Sequence, residues 1–183
     1  MLGLRRGSAA KVDCGALELR FALEIPDIAR GRHRSKIEEV RRSHRHTVTY
    51  CNEQPNGGVC LPYALGLIGE QAYEDIAIVA EVLALPGVFL GTDFANWLLD
   101  GRLIEIDQER EGALVLYFKY DVWTHAGRVV QPGRVQSKWG TFPVYQHGTW
   151  EVPCRYGDWV RYFEMPPRSL FQEYAASTRG IRL

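Results

Sequence analysis

Cys60 closes the stretch Gln54-Pro-Asn-Gly-Gly-Val-Cys60, and His125 follows 65 residues later in Trp123-Thr-His125-Ala-Gly-Arg128. A cysteine attacks a carbonyl as the thiolate, so this chemistry needs a lowered thiol pKa and a base to accept the proton. A Gly-rich turn that runs into a helix sets Cys60 among the unpaired N–H groups of the first turn, where the helix dipole favours negative charge. A histidine on a later strand supplies the base. Cys14, Cys51 and Cys154 lack such surroundings and read as small core hydrophobes. The four cysteines form no CxxC pair and no Cys/His spacing of a zinc site, so free thiols and no metal are expected.

Elements that could hold such a pair follow from the local pattern. Thr47–Cys51 reads as extended and Asn52–Gly58 as a turn. A helix opens at Cys60 with Pro62 in its first turn and runs through Leu67 toward Gly69. Further helices are expected at 73–85, with Ile76, Val79, Ala80 and Leu83 on one face, and at 94–99. The texture then changes to short β-branched and aromatic runs: 103–106, 113–120, 123–130, 134–139, 144–150 and 159–163. Gln131-Pro132-Gly133 marks a tight reversal, so antiparallel pairing is expected there. Helices followed by hairpin-linked strands give an α+β fold.

Residues 1–46 read as a basic N-terminal extension to a domain at 47–183. Residues 1–50 hold eleven Lys/Arg against six Asp/Glu, in a chain whose formal charge is zero. Within the extension, Leu17–Ile25 alternates in part as a strand would, and Ile37–Arg42 fits one or two helical turns. The basic run from Arg30 to His46 reads as a solvated helix face beside Glu38 and Glu39, with His33, His44 and His46 also in solvent. A nucleic-acid role is disfavoured because no aromatic residues interleave with the basic ones. At 46% hydrophobic and 24% charged residues the composition is that of a globular domain. The apolar runs are too short for a membrane span. Without a signal-like segment the default compartment is the cytoplasm, with signal-free export as the alternative.

Set side by side, a cysteine at a helix start and a histidine on the second strand of an antiparallel sheet resemble papain-like cysteine hydrolases. The likeness is to their compact bacterial branch, the NlpC-type and CHAP-type amidases, and it covers roughly residues 47–165. Glu111–Phe118 and Trp123–Val129 resemble that family's two central strands, with Ala113 where an acidic residue is usual. The resemblance implies helices packed on an antiparallel, barrel-like sheet. It also implies Cys60 as nucleophile, His125 as base and Ser137 as the third, orienting group. Gln136 and His147 are rivals for that place, and strand alternation lets only one of Gln136 and Ser137 face the site. Gln54, six residues before Cys60, falls where the family has its oxyanion-hole glutamine, with Asn52 and Asn56 as rivals in the same loop. The implied activity is cofactor-free cleavage of an amide or isopeptide bond in a peptide, protein or peptidoglycan-type substrate. Deamidation, acyl or amide transfer, and catalytically silent recognition of peptide or glycan on the same fold are the alternatives. Trp123, Trp139, Trp150 and Trp159 read as sheet core or groove lining.

Overall fold

The computed structural model describes residues 14–24, 31–53, 60–71, 73, 92–139 and 143–179. Seven strands form one antiparallel sheet: β1 (Thr49–Glu53), β2 (Glu105–Ile106), β3 (Leu114–Lys119), β4 (Val122–Gln131), β5 (Arg134–Lys138), β6 (Pro143–Gly148) and β7 (Trp159–Phe163). Their spatial order is β1-β6-β5-β4-β3-β7-β2. The four central strands form a meander. Its β4–β5 reversal runs through Gln131-Pro132-Gly133, with Gly133 at φ +76°. The sheet is open, with β1 and β2 as its edges, which corrects the barrel-like expectation.

Each face of the sheet carries helices. On one side lie α3 (Cys60–Ala64), α4 (Thr92–Leu99) and α5 (Arg168–Arg179). They bury Leu61, Phe94, Leu98, Phe171 and Tyr174 against Leu114, Leu116, Phe118 and Ala126. On the other side lie α1 (Cys14–Ala22) and α2 (Gly31–Ser43). Leu19, Leu23 and Ile37 pack there on Val115, Tyr117, Val129, Val135, Trp139 and Tyr145. Strand alternation divides β3 between these two cores: Leu114, Leu116 and Phe118 face one, Val115 and Tyr117 the other.

Three local readings are corrected. The expected strand at 17–25 is α1 over Cys14–Ala22. Its alternating apolar residues misled, because Leu19, Arg20 and Leu23 turn inward at helical spacing and Leu17 and Phe21 stay exposed. Helix α3 stops at Ala64, a turn short of the reading, because Gly66 at φ +68° closes it. The Leu67 N–H donates to the Pro62 carbonyl at 2.9 Å and the Gly66 N–H to that of Tyr63 at 3.0 Å, the pairing of a Schellman motif. Helix α5 went unread, although Phe171, Tyr174 and Ala175 recur on one buried face. The expected helix at 73–85 lies almost wholly outside the described residues.

The basic run does form a solvated outer face. Arg32, Arg34, Lys36, Arg41 and Arg42 are exposed on α2, with Lys36 paired to Glu39 at 2.5 Å and Arg41 to Glu38 at 3.2 Å. Two of its histidines depart from the solvated reading: His46 is half-buried, with Nδ1 accepting the Val48 N–H at 3.2 Å, and His33 goes further. It is buried on the inner face of α2, with Nδ1 2.9 Å from the Tyr145 hydroxyl. The helices before residue 47 thus share one core with strands after it. No described helix is long and apolar enough to cross a membrane.

Candidate functional site

Helix α3 presses its first turn onto β4 and β5. There the Cys60 sulfur meets the backbone N–H groups of Ala126, Leu61 and Cys60 itself, with the Lys138 ammonium nearby. These groups favour the thiolate, but burial outweighs them and pushes the Cys60 thiol up to about 11. Burial lowers Lys138, which the Cys60 charge opposes. At neutral pH Cys60 therefore rests as the thiol.

His125 points the other way. Its neighbour Ala126 belongs to the core beneath α3, and alternation sends His125 through to the face beneath α2. There the imidazole stacks flat on Tyr156, with ring centroids 3.8 Å apart and planes 5° from parallel. It also lies 5.5 Å from the Tyr117 ring, a member of that second core. The expected Cys60–His125 dyad is thus not assembled, because β4 itself stands between the two side chains.

A one-residue irregularity precedes His125 in the strand. In the β3–β4 ladder, Tyr117 faces His125 but Phe118 faces Trp123, so Thr124 is an extra residue. In a regular strand Trp123 and His125 would share a face. The bulge divides them, leaving Trp123 packed on the α3 core and His125 beneath α2. Thr124 secures the bulge by donating its hydroxyl hydrogen toward the Tyr117 carbonyl at 3.3 Å and the Tyr156 carbonyl.

The expected base and third group do meet, though away from the cysteine. Ser137 Oγ lies 2.9 Å from His125 Nε2 and 2.7 Å from His147 Nε2, and it accepts the Trp139 indole N–H at 3.0 Å. The bonds fix the tautomers. His147 donates Nδ1–H to the Gly148 carbonyl at 2.8 Å, so its Nε2 accepts the Ser137 hydroxyl hydrogen. His125 must then donate Nε2–H to Ser137. Both rings are neutral, and both are buried with Ser137. Burial holds His125 well below the usual histidine range, helped by His147 and Arg155. Burial also lowers His147 to about 4, against the Gly148 carbonyl and Glu151. A closed, neutral network of this kind specifies packing and has no open position for a substrate.

Gln136 and Ser137 face opposite sides, as alternation demands. The Gln136 side chain lies on the α3 side, where Nε2 approaches the Cys51 sulfur at 3.5 Å. Cys51 is exposed at the β1 bulge, which corrects its reading as a core residue. Cys154 is half-buried and, with Cys51 and Cys60, carries a free thiol. Among the oxyanion candidates, Asn52 is exposed on edge strand β1, opposite Val144. Gln54 and Asn56 lie outside the described residues.

Beside α3 opens a cleft of about 250 Å³, lined by Tyr63, Ala64, Gly66, Ile68, Arg128 and Gln136. Arg128 went unread, yet two-residue spacing from Ala126 places it on this face, and Lys138 follows Gln136 in the same way. Among the described residues no group of three His, Cys, Asp or Glu side chains is placed to hold a metal ion. No protein-family model matches the chain, and neither does any curated protein or solved structure.

Proposed function

We propose that this chain is a recognition module that binds a peptide-type ligand in the cleft beside α3. In this reading the papain-like order of elements serves binding, with Cys60 as a half-buried packing thiol. One observation carries the reading: Cys60 and His125 lie on opposite faces of β4, so the thiol has no imidazole to accept its proton. The raised thiol pKa points the same way. The cleft meanwhile offers polar side chains at one wall and apolar surface at the other, the usual make-up of a small binding site.

The test is to titrate N-acetyl-trialanine and its C-terminal amide into the whole chain. Backbone NMR shifts at Gly66 and Arg128 would be followed, with mass spectrometry watching the peptide. Saturable shifts at the cleft with intact peptide are expected, unchanged in Cys60→Ala. Cleavage that disappears in Cys60→Ala overturns the reading, and so does an absence of shifts with both peptides.

A second reading, the thiol hydrolase, is favoured by the three N–H groups around the Cys60 sulfur and by Lys138 beside it. These could stabilise a thiolate once a ligand altered the burial of the site. That reading predicts Cys60-dependent acylation by an activated ester at neutral pH, detected as a mass increase on Cys60.

A further inference from the structure

We infer that the cleft recognises a carboxylate attached to an aliphatic segment, a specificity that rests on the binding reading above. The polar wall consists of donors. Arg128 is exposed, and its guanidinium lies close to Gly66, with 3.8 Å from Nη2 to where a Cβ would stand. Among the described residues no carboxylate forms an ion pair with it. Gln136 contributes an amide whose N–H group is spent on the Cys51 sulfur at 3.5 Å, a weak acceptor that an oxygen anion would displace. Tyr63 adds a phenol that burial keeps protonated and therefore able to donate.

Among the described residues no acidic side chain lines the cleft, so an incoming anion meets no like charge from them. The charge count selects the anion. Among the described residues Arg128 is the one cation in the lining, and the Lys138 side chain is buried beneath α3 beside Cys60. A single guanidinium fork with neutral donors matches a planar monoanion, which it can grip through two parallel N–H bonds. A phosphate dianion would remain half-compensated. Ala64, Gly66 and Ile68 form the apolar wall, which suits a short aliphatic side chain next to the charge. A peptide C-terminus and an acidic side chain both present this chemistry.

The experiment compares three probes on the whole chain by NMR titration: N-acetyl-trialanine, its C-terminal amide, and N-acetyl-Ala-Glu-Ala-amide. Binding of the free acid at least tenfold tighter than the trialanine amide is expected, with the preference lost in Arg128→Gln and partly kept in Arg128→Lys. Arg128 is exposed, so both variants should fold, and circular dichroism checks this. The glutamate probe decides the source: binding equal to the free acid assigns any carboxylate, and weak binding assigns the chain terminus. Equal affinity for free acid and trialanine amide overturns the carboxylate inference while leaving the binding reading intact. A preference that survives Arg128→Gln also overturns it. Silence from all three probes removes the binding reading itself.

Discussion

The two faces of this sheet hold polar groups under opposite rules. Beneath α2, His125, Ser137, His147 and Trp139 are buried, neutral and mutually satisfied, each donor matched to an acceptor. Beside α3, Arg128, Gln136 and Tyr63 border open space, and Cys60 is only partly buried. The difference teaches that clustered histidine and serine need not mark a reactive site. A network whose donors are all matched gives rigidity, whereas recognition needs polar groups that can exchange partners. The titratable cluster is buried, and the plainer cleft is the one open to solvent.

Acid should separate the faces most strongly. His125 and His147 titrate near 6.5 when unfolded and lower when folded, so between those values the unfolded chain holds more protons. Stability is therefore full above about pH 6.5 and falls as the pH drops toward 4, with His147 alone contributing about 3 kcal/mol. Urea unfolding from pH 7 to pH 4 measures this. A flat profile would mean that the two rings are not held neutral in the fold.

Next in size is Ser137→Ala. It strands the His125 Nε2–H, the Trp139 N–H and the His147 Nε2 in the interior, at a cost of about 3 kcal/mol in urea unfolding. Cys60→Ala, on the other face, should cost about 1 kcal/mol, as loss of a small apolar group does. Similar values for the two would erase the distinction between closed network and cleft.

Thiol reactivity probes the same contrast from the other side. With Cys60 raised to about 11, iodoacetamide at pH 7 should label exposed Cys51 first, by roughly a hundredfold, as read by peptide mass mapping. Preferential labelling of Cys60 would restore it as a nucleophile. A last test addresses the bulge that sends Trp123 and His125 to different faces. Thr124→Val removes two hydroxyl bonds to carbonyls and should cost about 1 to 2 kcal/mol. A neutral result would show that the bulge stands without them.

Much of this architecture was legible in advance because it depends on short-range signals. The run of strands after residue 103 follows from β-branched and aromatic clusters broken by turn residues, and the β4–β5 reversal from Pro132-Gly133. The meeting of His125 with Ser137 was also readable, since adjacent antiparallel strands bring such positions together. Residues 17–23 were misread because their alternation fits a strand, and only burial against the sheet selects the helical face carrying Leu19 and Leu23. Cys51 was misread because burial depends on the strand's place at the sheet edge, which local sequence does not encode.

The sequence by itself determined the class of fold, most strands, the start of α3 at Cys60 and the residue types available for chemistry. It could do so because hydrophobic period, turn chemistry and helix entry act over a few residues. The tertiary structure decided which of those residues face one another. A single extra residue at Thr124, held by carbonyls of β3 and of the turn at Tyr156, shifts the alternation of β4. Cys60 meets β4 at Ala126, the residue after His125, so ordinary alternation puts His125 and Cys60 on opposite faces of the sheet. Side-chain direction in a strand reverses with every residue, so the position on β4 at which α3 sets Cys60 down, fixed by long-range packing, outweighs what the local pattern implies about the pair.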